Sequence, residues 1–227
     1  NAVGKNNSPD SIRTELRQIR NKLVKEGILS RALYRPLHLG DEKVVVKQSD
    51  YDDFNRLKDS FVDKLRNNPR RNMMFIRDIL DIMQNSDGKW KSMIVYSMGI
   101  HHADAIACEL SLRGVKSASI TGNTKARDRL SLIDQFRKGE ISVLCNHSVL
   151  TVGFDAPNTD VIYITRPVYS PIMLEQIVGR GLRGEKFGGT AECLVVTPQE
   201  MLVLEQAFGD NIVLAEDEIK KRLFIED

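Results

Sequence analysis

The sequence predicts an α/β protein, a parallel sheet flanked by helices and preceded by a mostly helical segment. From Lys91 onward, short apolar runs alternate with longer stretches whose apolar residues recur at helical spacing. Short connections between the two kinds of segment favour βαβ units, in which the sheet is covered on both faces. Hydrophobic residues make up 41% of the 227, enough for a sizeable core and too many for a disordered chain.

Ser8-Pro9 opens the first helical pattern, with Ile12, Leu16, Ile19 and Leu23 on one stripe and Gly27 as its stop. Val44-Val45-Val46 is a short strand candidate. Asp50 to Asn67 is expected to be a second helix, carrying Phe54, Leu57, Phe61 and Leu65. Asn68-Pro69 caps a third, with Met73, Ile76, Leu80 and Met83 inward. Asn85-Ser86-Asp87-Gly88 reads as a loop.

The alternation then begins. Met93–Tyr96, Val115–Ile120, Ile141–Cys145, Val161–Ile164 and Ala191–Val196 are the expected strands. Helices are expected around Ala103–Leu110, closed by Gly114, and over Lys125–Lys138. A further helix is capped by Ser170-Pro171. Thr197-Pro198-Gln199-Glu200 has the pattern of a capping box opening another helix. The expected division is a mostly helical segment over 1–88, an α/β domain over 89–210 and a tail helix over 211–227. Parallel crossovers should be right-handed, and ligands should bind beyond the carboxyl ends of the strands.

Lys and Arg number 33 against 31 Asp and Glu, so any basic groove must be local. The three cysteines, Cys108, Cys145 and Cys193, have neither metal spacing nor a disulfide framework and are expected to be buried thiols of a reducing, cytoplasmic protein. No metal site is expected, and no apolar run is long enough to span a membrane. Asn1-Ala2 resembles a processing remnant, so the chain is expected to be a piece of a longer protein.

The most informative stretch is Gln176-Ile177-Val178-Gly179-Arg180-Gly181-Leu182-Arg183, a Q-x-x-G-R-G-x-R pattern. On a continuous helix Gln176, Arg180 and Arg183 fall within about 60° of one face. That face presents an amide and two guanidiniums, the groups that clamp a phosphate. An isolated R-x-x-R is more often a solvated helix end. A second constellation follows the strand ending at Cys145: Asn146, His147, Ser148, then Thr151-Val152-Gly153-Phe154-Asp155-Ala156-Pro157. Asp155 can accept hydrogen bonds from sugar hydroxyls, and Thr151, Asn146 and Ser148 can donate to a phosphodiester backbone. By itself the segment also fits a plain turn between strands.

Taken in order, Ile94-Val95-Tyr96-Ser97, the Thr121-Gly122 loop, Arg127 with Phe136, Thr151–Pro157 and Gln176–Arg183 resemble motifs IV, IVa, V and VI of the second motor domain of superfamily 2 helicases. The resemblance covers roughly residues 90 to 197 and implies a RecA-like sheet, the second of two P-loop NTPase-like helicase domains. It leans toward restriction-enzyme motor subunits and DNA-repair translocases, because relatives of the DEAD-box type usually carry His where this chain has Gln176. It implies that Arg180 and Arg183 are arginine fingers reaching the γ-phosphate of ATP. Gln176, Gly153 and Asp155 would be nucleotide contacts. Ser97, Thr121, Gly122, Arg127, Asn146 and Thr151 would meet one nucleic-acid strand, Arg127 being equally a surface charge. His147 stands where many relatives have Thr, which puts its contact in question. His101-His102 fits a solvated helix end better than a ligand pair.

No G-x-x-x-x-G-K-[ST] phosphate loop and no D-E-x-H box occurs. In the family these lie on the first motor domain, so ATP and Mg²⁺ are expected mainly there, on an amino-terminal RecA-like domain of the same polypeptide. Nucleic acid, DNA before RNA, is the expected partner, and this segment alone is expected to be inactive. The rival readings are a non-enzymatic nucleic-acid-binding module of the same fold and a small-molecule α/β enzyme using Asp155 and His147.

Overall fold

The computed structural model describes residues 9–42, 44, 46–54, 56–149, 156–198, 203–205 and 211–213. Its centre is a six-stranded sheet in which every neighbouring pair is parallel. The strands are β1 (Arg31–Leu37), β2 (Met93–Tyr96), β3 (Ser117–Ile120), β4 (Val143–Asn146), β5 (Val161–Ile164) and β6 (Glu192–Pro198), in spatial order β1-β6-β5-β2-β4-β3. Around them are α1 (Pro9–Lys25), α2 (Asp59–Arg66), α3 (Pro69–Gln84), α4 (Ile100–Leu112), α5 (Ala126–Arg137) and α6 (Pro171–Val178). A short antiparallel pair, β7 (Val203–Glu205) and β8 (Asn211–Val213), stands apart.

Alternation along the strands divides the core. Ile94, Tyr96, Leu144, Ile162, Ile164, Cys193 and Val195 pack with Phe136, Leu174 and Ile177 of α5 and α6. Met93, Val95, Val143, Cys145, Val161, Tyr163, Leu194 and Val196 pack on the other face with Phe75, Ile79, Ile106 and Leu110 of α3 and α4. Because both faces are covered, the central strands read as continuous apolar runs.

The helix starts follow their cap chemistry. The Asn68 side chain accepts from the backbone N–H of Arg70 and Arg71, and that of Ser170 from Met173, each with proline at the next position. The Arg35 guanidinium forms a two-pronged pair with Asp78 at 2.8 and 2.9 Å, tying β1 to α3.

Several expectations are corrected. Val44 and Val46 lie outside any strand, and the strand of this region is β1. Because β1 belongs to the sheet and α3 to its covering layer, residues 1–88 do not form a separate unit. Asp50–Asn67 is not one helix. Asp52 Oδ1 accepts from the backbone N–H of Phe54 and Arg56, a turn that competes with helix, and α2 begins only at Asp59. Thr197 and Pro198 belong to β6, and Glu200 lies outside the described residues. Asn211–Val213 is a strand where a tail helix was expected, and 214–227 lie outside the described residues. Cys145 and Cys193 are buried, but Cys108 is exposed, since it points away from the Ala103, Ile106, Ala107, Leu110 stripe of α4.

Candidate functional site

The carboxyl ends of β2, β3 and β4 bring three predicted strand contacts together. Ser97, Thr121 and Asn146 each follow or end one of these strands, and each is at most 3% exposed. Asn146 Nδ2 donates to the Val95 carbonyl, and the Ser97 N–H donates to the Asn146 carbonyl, locking the ends of β2 and β4 together. The Thr121 N–H donates to Thr124 Oγ1 and closes the turn before α5. Gly122 and Arg127 are exposed beside that turn. The polar side chains the sequence offered as strand contacts therefore mainly shape the edge, leaving backbone and Gly122 to face outward. Thr151, Gly153 and Asp155 lie outside the described residues.

His147 also belongs to this edge. Its Nδ1 lies 3.0 Å from the Ser97 carbonyl, and its N–H donates to the Ile120 carbonyl. A carbonyl only accepts, so Nδ1 carries the proton. Ser148 then turns the chain with φ +59°, a left-handed conformation that is uncommon outside glycine.

The arginine motif is placed differently. Only Gln176 lies on α6, which ends at Val178, so the three polar groups do not share a helical face. Gly179 is the helix C-cap and Arg180 and Gly181 form a turn. Arg183 sits in an isolated bridge with Leu29. The departure follows from the glycines, which are poor helix formers and permit close packing. A Cβ on Gly181 would lie 2.3 Å from Cys193 Sγ and 3.1 Å from Ile162 Cγ1, and one on Gly184 would overlap the Gly27 carbonyl. What approaches these glycines is the protein's own sheet and its 27–28 segment.

The segment 182–184 is thereby fixed to residues 28–30. The Ser30 N–H donates to the Leu182 carbonyl and the Gly184 N–H to the Ile28 carbonyl. The Arg183 carbonyl accepts from Ser30 Oγ at 2.6 Å and from the Thr190 N–H at 3.0 Å. These partners precede β1 and β6, so Arg183 lies at the amino edge of the sheet, with its side chain exposed. The expectation that both constellations lie beyond the carboxyl ends holds for the first only. Gln176 is exposed on the last turn of α6 and Arg180 is half-buried.

Sequence reasoning missed Arg166, two residues past the end of β5. The charges of Arg166 and Arg180 both reach the Tyr96 phenol, whose ionisation burial pushes far upward and the two guanidiniums ease back. Burial also lowers the Arg166 pKa, and its Nη2 lies 3.5 Å from Met173 Sδ. Its signal was its position directly after an apolar strand.

His102 is not a solvated helix end. It is 4% exposed, its Nδ1 accepts from the Met98 N–H at 3.3 Å and its Nε2 donates to Asn72 Oδ1 at 3.0 Å. Burial first, then the charges of Arg71, Arg66 and His147, lower its pKa to about 4. The unfolded chain therefore binds the proton more tightly. Stability from neutral His102 is complete above about pH 6.5 and is lost toward pH 4, a span worth roughly 3 kcal/mol. Asp160 works in the opposite sense, since burial raises its pKa to about 6. The comparison with His102→Gln isolates the histidine. Chemical melts between pH 7 and 4 should show the wild type's advantage over the variant shrinking by about that amount, and a constant difference would count against a buried neutral imidazole.

Among the described residues no cluster of His, Cys, Asp or Glu is arranged to hold a metal, and no helix is long and apolar enough to cross a membrane.

Residues 73–185 match the helicase conserved C-terminal domain. The Saccharomyces cerevisiae protein IRC3, whose name assigns it to ATP-dependent helicases, is 34% identical over 93 residues, which cover 41% of this chain and 14% of that protein. Its Schizosaccharomyces pombe namesake, assigned by name to mitochondrial ATP-dependent helicases, is 36% identical over 105 residues, 46% of this chain and 17% of that protein. The chain thus spans under a fifth of the length of these curated relatives. A fragment assigned to the HsdR subunit of a type I restriction enzyme from Vibrio vulnificus shares the fold, with TM-score 0.57 and 20% identity over 84% of this chain and 39% of that one.

Proposed function

Because residues 73–185 make this chain a member of the helicase conserved C-terminal domain family, we propose that it is the carboxyl-terminal RecA-like motor domain of an ATP-dependent superfamily 2 helicase or translocase. Its track is nucleic acid, DNA in preference to RNA. An amino-terminal motor domain of the same polypeptide supplies the phosphate loop and most of the contacts to ATP and Mg²⁺. This domain contributes Arg180 and Arg183 as arginine fingers and Gln176 at the nucleotide, with Gly153 and Asp155 as further nucleotide contacts. The edge formed by Ser97, Thr121, Gly122, Asn146 and Thr151, with Arg127 beside it, holds one strand. Cleft closure and opening then move the two domains along that strand.

The observation that carries the reading is the placement of Arg183. Its backbone is held by Leu29, Ser30 and Thr190 while its guanidinium is exposed. A preorganised cation of this kind can meet a phosphate without reorganising its own chain. It lies at the edge opposite the strand-facing loops, which suits a body with nucleotide on one side and nucleic acid on the other. The preference for DNA is supported by the T-x-G-F-D-A-P segment and by Gln176 where DEAD-box relatives usually carry His.

With no phosphate loop to hold ATP, the isolated chain is expected to hydrolyse ATP negligibly. Steady-state turnover by the purified chain checks this. A rate like that of an intact motor, abolished by Arg183→Ala, would require a complete ATP site within these residues and would overturn the division of labour.

A further inference from the structure

The two histidines at the carboxyl edge hold one peptide between them. The Ser97 carbonyl receives His147 Nδ1–H at 3.0 Å, and the N–H of the same peptide, on Met98, donates to His102 Nδ1 at 3.3 Å. These partners require opposite tautomers, protonated at Nδ1 on His147 and bare at Nδ1 on His102. His102 must then carry its proton on Nε2, where Asn72 Oδ1 accepts it at 3.0 Å. Asn72 turns its other end to α2, Nδ2 donating to the Arg66 carbonyl at 2.7 Å. The Arg66 guanidinium completes the connection, with Nη1 3.1 Å from where a Cβ on Gly99 would stand. A continuous chain of hydrogen bonds therefore runs from the end of α2, through α3 and the first turn of α4, to the peptide between β2 and α4. That peptide is joined in turn to β4, through the Ser97 N–H and the Asn146 carbonyl.

We propose that Asn72 and His102 are positioning residues for nucleic-acid binding, and that through them α2 and α3 set the shape of the strand-holding edge. This rests on the reading of that edge given above. It assigns a role to helices that lie largely or wholly ahead of the helicase motifs. A peptide clamped from both sides cannot flip, so its donor and acceptor directions are fixed before a strand arrives. Cutting the clamp returns that ordering cost to the binding step. Neither residue touches nucleotide, so the defect falls on strand affinity and spares turnover at saturation.

Two substitutions divide the relay. In His102→Asn the side-chain oxygen takes the place of Nδ1 and keeps the Met98 bond while the reach to Asn72 is lost. In His102→Gln the terminal amide takes the place of Nε2 and keeps Asn72 while Met98 loses its acceptor. In the full-length protein, each should raise the DNA concentration for half-maximal ATPase stimulation about tenfold and leave saturated turnover within about twofold. Thermal melts accompany the kinetics. If either variant fails to fold, Asn72→Ser, at a half-buried position, carries the test with the same expected shift. Wild-type DNA dependence in folded variants overturns the positioning role and leaves the proposed function standing. A wild type that no nucleic acid stimulates overturns the proposed function, and the positioning role with it.

Discussion

Arg183→Lys in the full-length protein should lower nucleic-acid-stimulated ATP turnover by about 10³-fold or more, the scale of arginine-finger losses in phosphoryl-transfer enzymes. That is roughly 4 kcal/mol of transition-state stabilisation. Charge is conserved in the substitution, so the loss measures geometry. The guanidinium offers a planar fork that can bridge phosphate oxygens, whereas the lysine ammonium is a mobile point charge. The structure makes the result interpretable, because the Arg183 backbone is fixed by bonds its side chain does not make. The folded state should be unchanged, and the KM for ATP should move less than kcat. Single-turnover hydrolysis at saturating ATP, alongside a thermal melt, checks both. Turnover within a few-fold of wild type would reduce Arg183 to a surface charge.

Gly181→Ala is the substitution expected to damage the fold most for its size. The added methyl would stand 2.3 Å from Cys193 Sγ and 3.1 Å from Ile162 Cγ1, both buried in the sheet. Overpacking of this kind costs about 1–3 kcal/mol, and for a chain of this length each kcal/mol lowers Tm by about 2–4 °C. A loss of roughly 3 kcal/mol, near 10 °C, is the expected effect. Because the nearest atom is a sulfur, Cys193→Ala should recover part of it. A double-mutant cycle should show favourable coupling of about 1 kcal/mol or more. Additive losses would mean that the strain is relieved elsewhere, and that the glycine does not hold the arginine segment against β6.

The same glycine shows where sequence reading reached and where it stopped. Strands β2 and β5 and helix α3 were legible to the residue or nearly so, because each is a continuous apolar run or a capped helical stripe. β1 was missed. It pairs on one side only, with β6, and it contains Pro36, which an edge strand tolerates and a central strand does not. The Phe54, Leu57, Phe61, Leu65 spacing imitated a helix across Asp52, whose side chain takes the backbone donors a helix would need. At the site, the motif order was legible and the partition was not. Helical spacing put Arg180 and Arg183 beside Gln176, whereas Gly181 and Gly184 end the helix and pack the chain against β6 and residue 27. His102 passed for a helix end because its partner, Asn72, lies thirty residues earlier on another helix, a relation no local pattern encodes.

The central claim is that this domain completes an ATP-driven motor that runs on nucleic acid. Steady-state ATP hydrolysis by the full-length protein tests it most directly, run without polymer and with duplex DNA, single-stranded DNA and RNA, for wild type and Arg183→Ala. Stimulation by DNA above RNA in the wild type, absent from Arg183→Ala, is the predicted result. Hydrolysis that no polymer stimulates, or that survives Arg183→Ala, would contradict the claim.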